Sequence, residues 1–205
     1  MTIQDVYAKY HIMPQLATHM LRVAGVGKLI VDGWKGGIDR DLVMRSLLLH
    51  DMGNIVKFDL GKNIIQIENL EYWKKIQAKY REKYGTNAHE ATTKIVAELG
   101  QDDTNLIMGR EHAGYASDNP AQLLEQGWGG KILSYCDVRV VPTGVTTLKK
   151  RIEDLQRRYG REMGWYDFLY KLEEQVRRQT NVDLDEISEE DVEPLFEELL
   201  TYTVQ

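Results

Sequence analysis

Apolar positions recur with helical spacing along almost the whole chain. Between Pro14 and Val31 they fall at Leu16, Met20, Val23 and Ile30, one face of a helical period. Pro14 suits the first turn of that helix, and Gly33, Gly36 and Gly37 end it. Asp39 or Asp41 is placed to cap a second helix, running to about Asp51 with Val43, Met44, Leu47 and Leu48 as its apolar stripe. Residues 67–84 read as a polar, aromatic-bearing helix stopped by Gly85. Asn87 is the cap of the next, which reaches Leu99 and Gly100. A further helix is expected over about 103–113, and charged helices over 146–159 and 162–180. Ile132 to Val141 is ambiguous. Its β-branched content fits a strand, while Gly129-Gly130 and Pro142 bound a short buried helix equally well. In the last segment Ser188 and Asp191 stand at capping-box spacing, and Pro194 marks the start of the main helix. No repeat, low-complexity tract or long linker divides these elements. The pattern predicts an all-α fold, a single-domain helical bundle, with 1–160 as its main part and 161–205 as C-terminal helices packed on it.

Composition narrows the class. The chain has 205 residues, 42% hydrophobic and 28% charged, which suits one globular domain. A single Cys excludes an internal disulfide. Apolar runs such as Leu47-Leu48-Leu49 are far shorter than the roughly 20 residues that span a bilayer. Met1 to Asp5 lacks the basic and apolar regions of a signal peptide, so the expectation is a cytoplasmic protein with no membrane partner. The net charge of -6 is uneven: of 32 acids, nine follow Arg178, where no Lys or Arg remains. The acidity belongs to the C-terminal segment and says little about a ligand. No basic stripe is visible, so polymeric nucleic acid is not an expected partner.

The chemistry-bearing residues stand out against this helical background. Asp51 follows Leu47-Leu48-Leu49-His50, and Asp137 sits within Ile132-Leu133-Ser134-Tyr135-Cys136. A carboxylate in such apolar surroundings needs a partner, because an unpaired buried charge is very costly. A metal ion is one such partner; a helix cap or a distant Arg is another. His19, His50, His89 and His112 each occur in apolar or capped helical contexts, where a hydrogen-bonded core or helix-end His is the ordinary reading. His11, beside Tyr10, is read in that ordinary way, and Cys136 as a small core residue. Taken together the order changes the balance. Apart from the His50-Asp51 pair, each of the six falls on a different predicted helix, and a bundle can aim such side chains at one point. Mixed imidazole and carboxylate donors suit Fe, Mn, Zn or similar divalent ions.

On these residues the chain resembles the HD-domain superfamily of metal-dependent phosphohydrolases. His19, the His50-Asp51 pair within Leu48-Leu49-His50-Asp51-Met52-Gly53-Asn54, and Asp137 within Tyr135-Cys136-Asp137 carry the resemblance. His89 and His112 are similar to the additions of the extended, dinuclear version. The likeness covers roughly residues 10–160 and implies that 1–160 is an HD-type catalytic domain with a central metal site. It further implies that His19, His50, Asp51 and Asp137 hold one divalent cation (Fe, Mn, Zn, Mg or similar). Asp51 would be the catalytic bridge to a second, held by His89 and His112. Two such cations bind phosphoryl oxygens and lower the pKa of a water between them. Val26-Gly27-Lys28 is internal to a helix and offers no phosphate loop. Phosphate contacts are therefore expected from Lys57, then Arg22 and Arg139, with Glu90 orienting a ligand from beside His89.

The expected function is metal-dependent hydrolysis of a small phosphoester, a nucleotide by preference. Cyclic di-guanylate fits poorly: Glu111 precedes His112 where that subfamily has a second His, and Gly114-Tyr115-Ala116 lacks its Pro. Two alternatives belong to the same superfamily. One is a diiron oxygenase that cleaves a C–C or C–P bond, with Tyr10 upstream of His19. The other is a non-catalytic nucleotide sensor, whose usual mark would be lost ligands.

Overall fold

Pro14–Asp32 forms the helix on which the rest of the molecule is assembled. The structure is a computed structural model and describes residues 1–61, 68–104, 120–160 and 166–204. Among these, the helices in chain order are α1 (Ile3–Lys9), α2 (Pro14–Asp32), α3 (Arg40–Leu49), α4 (Leu70–Tyr84), α5 (Ala88–Glu98), α6 (Trp128–Val138), α7 (Leu148–Tyr159), α8 (Asp167–Gln179), α9 (Glu189–Val192) and α10 (Phe196–Thr201). Short 3₁₀ turns lie at Asn54–Lys57, Pro120–Glu125 and Glu193–Leu195. A two-stranded antiparallel hairpin pairs β1 (Val140–Val141) with β2 (Gly144–Val145), in the register Val140 to Val145. The fold is all-α apart from this hairpin.

α2 buries Leu16, Met20, Leu21, Val23, Ala24, Val26, Ile30 and Val31, more than one face, because it is covered from several sides. It packs against α3, α6, α9 and α10. Small residues allow the closeness: a Cβ on Gly27 would lie 2.2 Å from Leu47 Cδ1 of α3. α4 and α5 pack on each other and on the Asn54–Lys57 turn. The first and last residues of the described chain meet: Thr2 and Thr203 form an antiparallel bridge. Leu184, Ile187, Val192, Leu199 and Val204 join the same core as α1–α6.

The caps follow the residues that the pattern singled out. Asp39 accepts a hydrogen bond from Leu42 N–H, and Asn87 accepts from His89 and Glu90 N–H. Asp191 accepts from both the N–H and the hydroxyl of Ser188, and Pro194 separates α9 from α10. Other expectations are corrected. α1 was not anticipated; it is capped by Thr2 and Asp5 and buries Ile3, Val6 and Tyr7. Gly129 and Gly130 do not stand before α6 but within its first turn, which starts at Trp128. Ile132 to Val141 divides between the two readings, helix to Val138 and strand from Val140. The helix expected over 103–113 lies mostly outside the described residues.

Candidate metal centre

The centre is built at the end of α3. A helix end exposes carbonyls that have no helical donor. Here the hydroxyl of Tyr7 donates to Leu48 O at 2.7 Å, and His50 Nδ1 lies 2.8 Å from Leu47 O. A carbonyl only accepts, so this contact places a ring proton on Nδ1 and turns Nε2 toward the cluster. Asp51 opens the turn that follows, and its carbonyl accepts from Asn54 N–H at 2.9 Å. Gly53 makes the turn fit. A Cβ there would lie 2.4 Å from Thr92 N and 2.7 Å from Ala88 O, so only glycine allows α5 to rest on this backbone. Gly53 N–H donates to Thr92 Oγ1 at 2.9 Å, which ties the turn to the helix carrying His89.

Three helices deliver donors to one place. His19 comes from α2, His50 and Asp51 from the end of α3, and Asp137 from the last turn of α6. His19 Nε2 is 3.1 Å from Asp137 Oδ1 and 3.5 Å from Asp51 Oδ2. His50 Nε2 is 3.6 Å from Asp137 Oδ1 and 3.8 Å from Asp51 Oδ2. One donor atom from each of His19, His50 and Asp51 lies within 4.8 Å of the others. The His50 side chain is 3% exposed and that of Asp137 34%, so the cluster is closed behind and open in front. Burial pushes the Asp137 carboxyl up, but the His19 and His50 imidazoles outweigh it and hold the group far below the usual carboxylate range.

The donors fit a divalent cation. The two imidazole nitrogens and the Asp51 carboxylate oxygen, with Asp137 beside both imidazoles, suit borderline and hard divalent ions alike. Atoms each about 2.0–2.2 Å from a common ion are about 3.0–3.5 Å apart when adjacent. The 3.1 Å and 3.5 Å separations around His19 are of that size. His50 Nδ1 is already held by a backbone carbonyl, the orientation expected of a ligating imidazole.

The remaining candidates stand outside this group of donors or outside the described residues. His89 is half-buried in the first turn of α5, beside the helix residues that contact Gly53. His112 lies outside the described residues. Lys57 closes the 3₁₀ turn after Asp51 and is exposed, as is Glu90. Arg22 lies one turn after His19, but its Nε donates to Glu189 Oε1 at 2.6 Å and its Nη1 to Pro142 O at 3.3 Å. Arg139 is fully buried and donates to Tyr135 Oη, Thr146 O, Leu184 O and Ile187 O. The structure thus gives both guanidinium groups protein partners rather than the open side of the cluster. Tyr10 donates to Glu98, nine residues and about 13 Å along α5 from His89. His11 Nδ1 lies 2.9 Å from the Tyr72 hydroxyl. Cys136 is buried, and burial raises its thiol pKa well above the usual value. Sequence reasoning missed Tyr7 and Thr92, which hold the ligand turn in place. Thr92 lies one turn beyond His89, and that spacing was the only signal for either.

Comparison with known proteins bears on the family of the chain. Neither the curated proteins nor the solved structures give a significant match. The family description that matches is the HD domain, over residues 16–123, more than half of the chain. This span contains the positions of His19, His50, Asp51, His89 and His112, while Asp137 lies beyond it and meets His19 and His50 through the fold. HD domains bind divalent metals and are commonly metal-dependent hydrolases. With this match, and with His19, His50 and Asp51 gathered at one point, the chain belongs to the HD-domain family.

Proposed function

We propose that the protein is a metal-dependent phosphohydrolase acting on a small phosphoester, a nucleotide by preference. The observation that carries this reading is the convergence of His19, His50, Asp51 and Asp137. When bound, divalent cations supply Lewis acidity and a more acidic water. The four side chains would hold one cation. His89 and His112, with Asp51 between, would hold a second. Asp51 would also fix the attacking water through a carboxylate oxygen. That water's oxygen bonds to phosphorus, the ester P–O bond breaks, and a proton ends on the departing alcohol oxygen. Lys57, next to this turn, would take a phosphoryl oxygen, while Asp137 and His50 keep their positions. Arg22 and Arg139, expected from sequence as further phosphate contacts, would act there only by leaving their present partners. No observation favours the oxygenase, because the Tyr10 hydroxyl is engaged by Glu98.

The test is phosphate release from a panel of nucleotides and small phosphoesters with Mn²⁺, Fe²⁺, Mg²⁺ or Zn²⁺ added. Release that requires metal and falls by at least about 10³-fold in Asp51→Ala, a folded helical protein by circular dichroism, supports the reading. A panel silent with metal bound refutes it and makes oxygen consumption the next measurement.

A further inference from the structure

Arg139 is a permanent cation with no exposure to solvent. Burial of such a charge is unfavourable unless its donors are satisfied. Among the described residues its acceptors are three backbone carbonyls and a phenol, not a carboxylate. Nη1 reaches Tyr135 Oη at 2.6 Å and Leu184 O at 2.8 Å, Nη2 reaches Ile187 O at 3.2 Å, and Nε donates to Thr146 O. Tyr135 Oη in turn donates to Glu173 of α8 at 2.9 Å. The acceptors therefore come from α6, from the residue after β2, and from the C-terminal segment.

A second arginine closes the same frame from the other side. Arg22 is three residues after His19, on the same side of α2. Its partner Glu189 accepts at Oε1 from Arg22 Nε (2.6 Å) and at Oε2 from Val145 N–H (2.9 Å). Arg22 Nη1 also reaches Pro142 O in the same hairpin. The C-terminal segment lies directly on α2: a Cβ on Gly25 would be 2.5 Å from Val192 Cγ1.

These contacts surround one distance. Asp137 is the next-to-last residue of α6, where a helix loses its own hydrogen bonds and frays. It is nonetheless 3.1 Å from His19, which belongs to another helix. Arg139 holds the chain two residues after Asp137, and Arg22 with Glu189 holds the hairpin that follows to the helix of His19. We infer that Arg22, Arg139 and Glu189 are positioning residues for the metal centre, through which the acidic C-terminal segment sets the placement of Asp137 against His19. The inference rests on the metal-centre reading of the four donors. It also replaces the phosphate-binding role expected of the two arginines.

The readout is metal binding rather than turnover, so its failure and that of the hydrolase reading are distinguishable. A chain that binds Mn²⁺ but hydrolyses nothing refutes only the latter. The experiment is calorimetric titration of Mn²⁺ alone into wild type, Glu189→Ala, Glu189→Gln and Arg139→Lys, well below each melting temperature. Inorganic phosphate is then titrated into each Mn²⁺-saturated protein. Partners that orient metal ligands typically change affinity 10–100-fold. The expected result is a Mn²⁺ dissociation constant raised about tenfold in Glu189→Ala, partly recovered in Glu189→Gln, which keeps an acceptor for Val145 N–H, with phosphate affinity unchanged. Arg139→Lys keeps the charge but loses the fork, and is expected to weaken Mn²⁺ binding further. If Arg139→Lys does not fold, the half-exposed Glu189 variants decide the question. Unchanged Mn²⁺ affinity in Glu189→Ala, or weakened phosphate binding at unchanged Mn²⁺ affinity, overturns the inference.

Discussion

Gly53→Ala tests whether the ligand turn depends on the close approach of α5. Gly53 has φ −93° and ψ −3°, a conformation that alanine adopts freely, so the backbone itself is not strained by the change. The added methyl would meet Thr92 N at 2.4 Å, Ala88 O at 2.7 Å and Ala91 Cβ at 2.7 Å. Two of these are backbone atoms of one helix and cannot rotate away, so α5 must move back as a body. Overpacking of this kind costs about 1–3 kcal/mol. The same movement stretches the buried bond from Gly53 N–H to Thr92 Oγ1, worth about 1 kcal/mol. The sum is about 2–4 kcal/mol, and at about 2–4 °C per kcal/mol for a chain of this size the melting temperature falls by roughly 4–16 °C. The assay is thermal unfolding followed by circular dichroism, with Thr92→Val as the control that removes only the hydrogen bond. A Gly53→Ala protein melting within about 1 °C of wild type would refute the argument, since it would mean that the turn and α5 separate without cost.

The other predictions concern acid stability and the C-terminus. Asp137 titrates below its unfolded value near 4, so its stabilisation is present above about pH 4 and is lost as pH falls through the lower folded value. In metal-free protein, Asp137→Asn should therefore lose stability less steeply than wild type below about pH 4, measured by urea unfolding at several pH values; parallel slopes would contradict this. Truncation after Arg178 removes Leu184, Ile187, Val192, Leu199 and Val204 from the core. At about 1.5–3 kcal/mol for each buried side chain, the loss is about 7–15 kcal/mol, comparable with the whole stability of a domain. The truncated chain should show no cooperative unfolding and should be digested rapidly by protease; a sharp transition near that of wild type would show that the segment is dispensable.

The sequence by itself determined what depends on nearest neighbours. The helical spacing of Pro14–Asp32, the caps Asp39, Asn87 and Ser188, and the break at Pro194 act over a few residues, and each is found where the pattern placed it. The donor types were legible as well, because a carboxylate among apolar residues demands a partner wherever it folds. Asp51 and Asp137 meet that demand beside His19 and His50. No helix among the described residues is long and apolar enough to cross a membrane, in keeping with the short apolar runs. α1 went unseen because it is a short helix whose apolar residues gain meaning only by burial against distant segments. Tertiary structure alone decided which acceptors Arg22 and Arg139 meet. An arginine beside a predicted ligand is an equally good phosphate contact or internal tie, and the choice depends on acceptors far along the chain. Those acceptors, Glu189, Leu184 and Ile187, are 167, 45 and 48 residues away. The same holds for Gly53, whose value is set by the backbone of α5 lying against it. Separations of this length carry no periodicity or spacing signal, because they are fixed only when the helices pack.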